Sequence, residues 1–426
     1  MGQGQIIKLI KAREVYSLRG HPGVETTVVT QNEAVGVAVA TAGTSVGGQE
    51  ASFLYDDDRL EGYGVGRAVN NVNDIIAPAL IGMDASRQLE IDNLLLELDG
   101  TPDKSKLGAN ATGSVSAAVL KAGASSLGIP LYQHIGGVNA CTLPVPGIQT
   151  IMGAHRYGGG KKAGSKPTYS IMCYGFDSFR EASWAGWRTI GEFIRLLNKR
   201  LGTHFLVGDK LIINSPIVKN DGIFWEIMTE TITNLGYEGR MGIQVDVAAG
   251  TYYDYESEKY IGLFSAEDKS KNDLMELYQR MVKEYPFVIL EDPLEEDDFD
   301  GHAFLTKELG IQVVGDDVFA TNLERLKLGV KKGACNTVLL KVNQIGTISE
   351  AFKLVEYAQR NNYRVMPCSS RGEGKDIADY AVGLGTGQIR EGAIDQTGNR
   401  LLEIEEQLRK VAEFPNKAGR KMGVIR

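Results

Sequence analysis

Cysteine is scarce, with four in 426 residues, and Cys141, Cys173, Cys335 and Cys368 are too scattered for a disulfide framework or a paired metal pattern. They read as buried or incidental thiols of a reducing compartment. No apolar run approaches the roughly eighteen residues of a membrane span. The opening Met1-Gly2-Gln3-Gly4 has no charged segment followed by an apolar one, and Ile6 stands where a myristoylation signal needs Ser or Thr. Basic charge is also in short supply: 46 Lys and Arg against 54 Asp and Glu leave a net −8 with no basic stripe, which argues against a nucleic-acid partner. A cytoplasmic protein acting on small molecules is the expectation, with no membrane and no nucleic acid.

What is present suits a large folded core, since 43% of residues are hydrophobic and 23% charged. The length exceeds the usual span of one core. Residues 6 to 17 and 24 to 40 carry alternating Val, Ile and Thr around the turn Arg19-Gly20-His21-Pro22-Gly23, which predicts an antiparallel meander. Apolar spacing predicts helices over 65–78, 84–98 and 111–127. Leu143-Pro144-Val145-Pro146 marks a boundary, giving domains at 1–136 and 140–426.

Beyond that boundary, short apolar runs alternate with amphipathic stretches such as 272–284, 323–332 and 348–361, and each run ends in an ionisable group. The runs are Ile243-Gln244-Val245-Asp246, Val288-Ile289-Leu290-Glu291, Val313-Val314-Gly315-Asp316 and Val338-Leu339-Leu340-Lys341. This is the rhythm of a (β/α) barrel, whose chemistry collects at the C-terminal ends of successive strands. Residues 156–168, with Gly158-Gly159-Gly160-Lys161-Lys162, read as a mobile surface loop or, preferably, as a lid over the barrel mouth.

Asp246, Glu291 and Asp316 end three strand patterns in series, an all-oxygen set that suits Mg²⁺. The competing reading is that they cap the helices that follow. Lys341 ends the next strand, where a neutral amine beside a metal would serve as a base for abstracting a proton next to a carboxylate. Its competing reading is an ion pair with Asp316 or Asp317.

Ordered blocks along nearly the whole chain resemble the enolase family: Val15-Tyr16 with Arg19-Gly20-x-Pro22, Lys104-Ser105-Lys106-Leu107-Gly108-Ala109-Asn110, Leu143-Pro144-Val145-Pro146, Leu290-Glu291-Asp292-Pro293, Asp316-Asp317, Leu340-Lys341-Val342-Asn343-Gln344-Ile345-Gly346-Thr347 and Gly385-Thr386-Gly387-Gln388-Ile389. The resemblance implies an α/β fold, an N-terminal α+β capping domain followed by a modified (β/α)8 barrel, and a homodimer or higher homo-oligomer. It implies Mg²⁺ on Asp246, Glu291 and Asp316, a second Mg²⁺ joined by Ser45, and Lys341 as the base. Arg371, with Ser370 beside it, and His155 would meet a small phosphorylated acid.

The chain departs from the family at particular places. Gly208-Asp209-Lys210 puts Lys210 where the family has its catalytic glutamate, making Lys210 the catalytic and proton-donor candidate in its place, and Thr168 falls where a second glutamate stands, as a substrate-binding candidate. Ser369-Ser370-Arg371-Gly372 keeps an arginine but loses a histidine and a serine. The stretch between Glu391 and Arg409 is shorter than in the family and has no lysine. Three readings follow: a divergent hydro-lyase interconverting 2-phosphoglycerate and phosphoenolpyruvate; a paralogue acting on another phosphorylated or phosphonate acid, similar to carboxyphosphonoenolpyruvate synthase; and a non-catalytic binding or structural protein on the same scaffold.

Overall fold

The computed structural model describes residues 3–17, 20–43, 48–153, 155–160, 166–213 and 217–415. The chain begins with the antiparallel strands β1 (Ile7–Tyr16), β2 (Pro22–Thr30) and β3 (Val35–Thr41), in that order across the sheet. β2 alternates buried and half-buried positions, as a sheet covered on one face requires. Its cover is α2 (Ala109–Ser126), preceded in the chain by α1 (Gln88–Asp99). α2 is built almost wholly from Ala, Gly, Ser and Val, and these small side chains let it lie close on the strands. Gly36 shows how close: a Cβ there would stand 2.0 Å from the Ala118 carbonyl oxygen. The buried hydroxyls of Thr26 and Ser114 satisfy one another across this contact at 2.8 Å.

The second sheet holds seven strands: β4 (Gly147–Met152), β5 (Thr168–Cys173), β6 (Met241–Asp246), β7 (Phe287–Glu291), β8 (Gln312–Gly315), β9 (Thr337–Leu340) and β10 (Arg364–Pro367), neighbouring one another in chain order. β5 runs antiparallel to both β4 and β6, and the rest are parallel. Residues 387–390 close the ring: Ile389 N–H donates to the Val145 carbonyl and Arg390 N–H to that of Pro367. They are the eighth stave of a barrel. Strands β5 to β9 are buried at every position, the mark of staves covered on both faces. Met172, Ile289, Val314, Leu339 and Met366 fill the interior.

The surrounding helices start and stop on local chemistry. Ser270 and Asp273 form a capping box at the head of Lys271–Glu284, and the Ser178 and Thr347 side chains cap Phe179–Leu201 and Ile348–Arg360. Left-handed glycines end Phe179–Leu201, Phe299–Leu309 and Leu323–Lys332. No single described helix is long and apolar enough to cross a membrane.

His302, on the helix Phe299–Leu309, is fully buried, with Nδ1 2.8 Å from the Asp298 carbonyl oxygen and Nε2 without a partner. Burial is the main reason its pKa falls from 6.5 to about 4, with the Asp298 contacts opposing and Lys271 and Arg325 reinforcing the fall. Between those values the unfolded chain binds the extra proton, so this group's contribution is intact at neutral pH and is lost as pH falls through 6.5 towards 4. Wild-type stability should therefore drop by about 2 kcal/mol from this group between pH 7 and pH 5. Urea unfolding of His302→Leu at the two pH values should show that much less pH dependence, and an unchanged slope would refute the assignment.

Candidate active site

The barrel geometry gathers the strand-end residues at one mouth. Asp246 ends β6 and pairs in register with Glu291, which ends β7, while Asp316 and Lys341 directly follow β8 and β9. β5 is antiparallel, so its first residue faces the same end: Thr168 is opposite Asp246. Arg371 follows β10, and Arg390 ends the eighth stave. Asp246, Glu291, Asp316, Lys341 and Arg371 are all at least 97% buried.

Each of these charges is matched. Lys341 Nζ forms an ion pair with Asp316 Oδ2, and Gln344, held by a 2.7 Å bond from Thr321 Oγ1, reaches Asp316 Oδ1 at 3.5 Å. Burial alone would raise the Asp316 carboxyl, but Lys341 and then Lys166 override it and hold the pKa at about 2. Burial likewise opposes the Lys341 ammonium, and the Asp316 charge outweighs it to leave that pKa raised. Arg371 makes a two-pronged pair with Glu50, one prong being Nε to Oε2 at 3.0 Å.

Two buried cations were not singled out in the sequence. Lys166, in the segment leading into β5, and Arg390 Nη2 both pair with Asp246 Oδ2. Arg390 Nε also stands 3.0 Å from Glu291 Oε2, an oxygen that accepts from Gln244 Nε2 at 3.2 Å. Burial, and then the Arg390 charge, push the Lys166 ammonium down to about 8. Arg390 follows a run of a few residues, too short to stand out as a strand. Lys166 precedes the antiparallel strand, to which a rule about C-terminal strand ends does not apply.

Asp292, in a left-handed conformation at φ +42°, uses both carboxylate oxygens to accept the backbone N–H groups of Asp316 (2.9 Å) and Asp317 (2.8 Å). Carboxylate oxygens of Asp292, Asp316 and Asp317 lie within 4.8 Å of one another, an acidic cluster that could hold a cation. Burial, then Asp316, raises Asp317 to about 7. Asp246 Oδ1 and Glu291 Oε1 are buried without any hydrogen-bond partner. Orphaned carboxylate oxygens facing a barrel mouth fit a hard divalent cation.

Four sequence candidates remain: Lys210, His155, Ser45 and Ser370. Lys210 is exposed. His155 is exposed too, with Nδ1 3.1 Å from the Gly159 carbonyl oxygen. Ser45 lies outside the described residues. Ser370 donates its backbone N–H to Glu373 Oε2 at 3.1 Å, and its hydroxyl has no partner. With Ser369, Thr41, Glu391 and Thr397 it lines a cavity of about 400 Å³ beside Arg371.

The anticipated lid over 156–168 begins differently from a free loop. Arg156 and Asp221 are buried together, with Arg156 Nε 3.2 Å from Asp221 Oδ1, while the hydroxyls of Tyr157 and Tyr169 donate to Asp221 at 2.9 and 2.7 Å. The first half of this segment is pinned to the barrel. Residues 161–165 lie outside the described residues.

Two family descriptions match the chain: "Enolase, N-terminal domain" over residues 7–135 and "Enolase, C-terminal TIM barrel domain" over residues 140–423. Among similar proteins, the enolase of Methanopyrus kandleri is 43% identical over 95% of this chain and 96% of its own length. That of Methanocaldococcus jannaschii is 42% identical over 94% and 95%, and that of Pyrococcus furiosus 42% identical over 97% of each.

Proposed function

The chain belongs to the enolase family, and on that premise we infer that it is a hydro-lyase interconverting 2-phosphoglycerate and phosphoenolpyruvate. The observation that carries the reading is the placing of Lys341 beside Asp316 at the mouth where Asp246 and Glu291 also end their strands. We assign Mg²⁺ to Asp246, Glu291 and Asp316, with Ser45 joining a second ion as the resemblance implies. Bound there, the cation would supply the concentrated positive charge that an enolate beside a carboxylate needs.

The protein's own groups set the remaining terms. Lys341 holds a proton against Asp316 and must release it before it can accept the proton from the substrate α-carbon. Arg371 is the phosphate-binding candidate, and Glu50 fixes the guanidinium in plane. Neither Thr168 nor exposed Lys210 offers a carboxylic acid to protonate the leaving hydroxide. Loss of the acid that the family positions there typically costs about 10²–10⁴-fold, so α-proton exchange should outrun water loss.

The test follows ultraviolet absorbance of phosphoenolpyruvate as purified protein acts on 2-phosphoglycerate with Mg²⁺, alongside proton exchange in D₂O by NMR. Exchange faster than dehydration, both absent in Asp246→Ala, is the expected pattern. Exchange and dehydration both absent in wild type would sink the reading. The cavity beside Ser370 favours a second reading, another phosphorylated or phosphonate acid, which would show turnover where 2-phosphoglycerate does not. A homo-oligomer is part of the family expectation, and sedimentation velocity tests it.

A further inference from the structure

Asp246, Glu291 and Asp316 bring three negative charges to the barrel mouth, and Lys166, Arg390 and Lys341 bring three positive charges into direct contact with them. A cation approaching these three carboxylates therefore meets internal cations already paired with them. Both Lys166 and Arg390 lean on the same oxygen, Asp246 Oδ2, leaving Oδ1 bare. Asp246 and Glu291 are thus half engaged, each with one oxygen given to internal cations and the other without a hydrogen-bond partner, while Asp316 is met at Oδ2 by Lys341 and at Oδ1 by Gln344.

The two cations differ in how firmly they are held. Arg390 is fixed on the eighth stave by its backbone bond to Pro367, lies 3.0 Å from Glu291 and places Nη1 3.6 Å from Cys368 Sγ. Lys166 carries a point charge on a flexible stem. Its backbone carbonyl accepts from Tyr252 at 2.8 Å, a bond that anchors the main chain and not the ammonium, whose partner is Asp246 Oδ2. Of the two, Lys166 is the one that can withdraw.

We propose that Lys166 is a built-in counter-ion of the metal carboxylates, one that competes with the divalent cation for Asp246 and so lowers the site's affinity. It rests on the assignment of Mg²⁺ to these residues, but not on turnover. With Lys166 in place the carboxylates are compensated without metal. With Lys166 neutralised, the cation meets one more uncompensated charge.

The experiment is a titration with Mn²⁺, followed by the electron paramagnetic resonance of the free ion, in the absence of any phosphorylated acid. Lys166→Met should bind Mn²⁺ at least about tenfold more tightly than wild type, a shift of about 1.4 kcal/mol. Lys166→Arg, which keeps the charge, should bind as weakly as wild type. Asp246→Asn should lose the site. Equal or weaker binding by Lys166→Met, or binding indifferent to Asp246→Asn, overturns the proposal.

Should Lys166→Met be unfolded without metal, circular dichroism decides: recovery of structure on adding Mn²⁺ supports the proposal. Failure to fold at saturating Mn²⁺ overturns it, because Lys166 would then be a structural cation that no metal replaces. Since no substrate is present, tighter Mn²⁺ binding stands even if 2-phosphoglycerate is never turned over, and the two readings fail separately.

Discussion

Replacing Lys341 with Ala should lower both dehydration of 2-phosphoglycerate and exchange of its α-proton by about 10³-fold or more, towards the upper end of what one positioned acid or base contributes. Both rates share the step in which the base takes the proton, so they must fall together. A group acting only on water loss would leave exchange intact. The ion pair with Asp316 adds a complication, because removing Lys341 leaves a buried carboxylate with Gln344 as its hydrogen-bond partner and the charge of Lys166 as the strongest remaining influence that keeps it ionised. Lost folding would also abolish activity, so Mn²⁺ affinity is the control. A folded Lys341→Ala protein has one cation fewer against the same carboxylates and should bind Mn²⁺ at least as tightly as wild type. Retained exchange in that variant would remove Lys341 from the role of base.

The alternation of apolar runs with amphipathic stretches was enough to predict the barrel, because buried parallel strands and helices with one apolar face leave different periodicities. It also pointed to Asp246, Glu291, Asp316 and Lys341 as neighbours, since a charge at the end of an apolar strand has nowhere to go but the mouth. Both readings of Lys341 remain in view: the structure shows the ion pair with Asp316, and the ion pair puts the amine where a base is needed. Lys166, Arg390 and Glu50 escaped notice for a physical reason. Their partners lie 80, 144 and 321 residues away along the chain, and no local pattern announces a pairing that only closure of the barrel creates. The same holds for the segment read as a lid. Gly and Lys around Arg156 signal a polar loop, whereas the arginine is buried because Asp221, 65 residues on, is buried opposite it.

That pair sets the second large effect. Arg156→Met should destabilise the protein by about 3–5 kcal/mol, the usual cost of stranding one charge of a buried pair, measured by urea unfolding. The stranded group would be Asp221, fully buried, with the hydroxyls of Tyr157 and Tyr169 as its remaining side-chain hydrogen-bond donors among the described residues. Methionine keeps an apolar stem of similar length and removes the guanidinium, whose carbon lies 4.9 Å from the Phe224 ring centre, so the loss reports charge more than volume. Adding Asp221→Asn to the same chain should recover part of the loss, since the residues touch and their effects are not additive. The pH dependence gives an independent check of cause. Burial already raises the Asp221 carboxyl in the wild type, and removing Arg156 removes the largest influence that lowers it. A carboxyl whose folded pKa lies above its unfolded value is penalised where it must stay ionised, and the penalty eases as pH falls through the raised pKa. The gap between Arg156→Met and wild type should therefore narrow from pH 8 to pH 5. A gap that is small throughout would mean that the two tyrosines alone satisfy Asp221, and that the segment bearing His155 is held to the barrel by hydrogen bonds and not by charge.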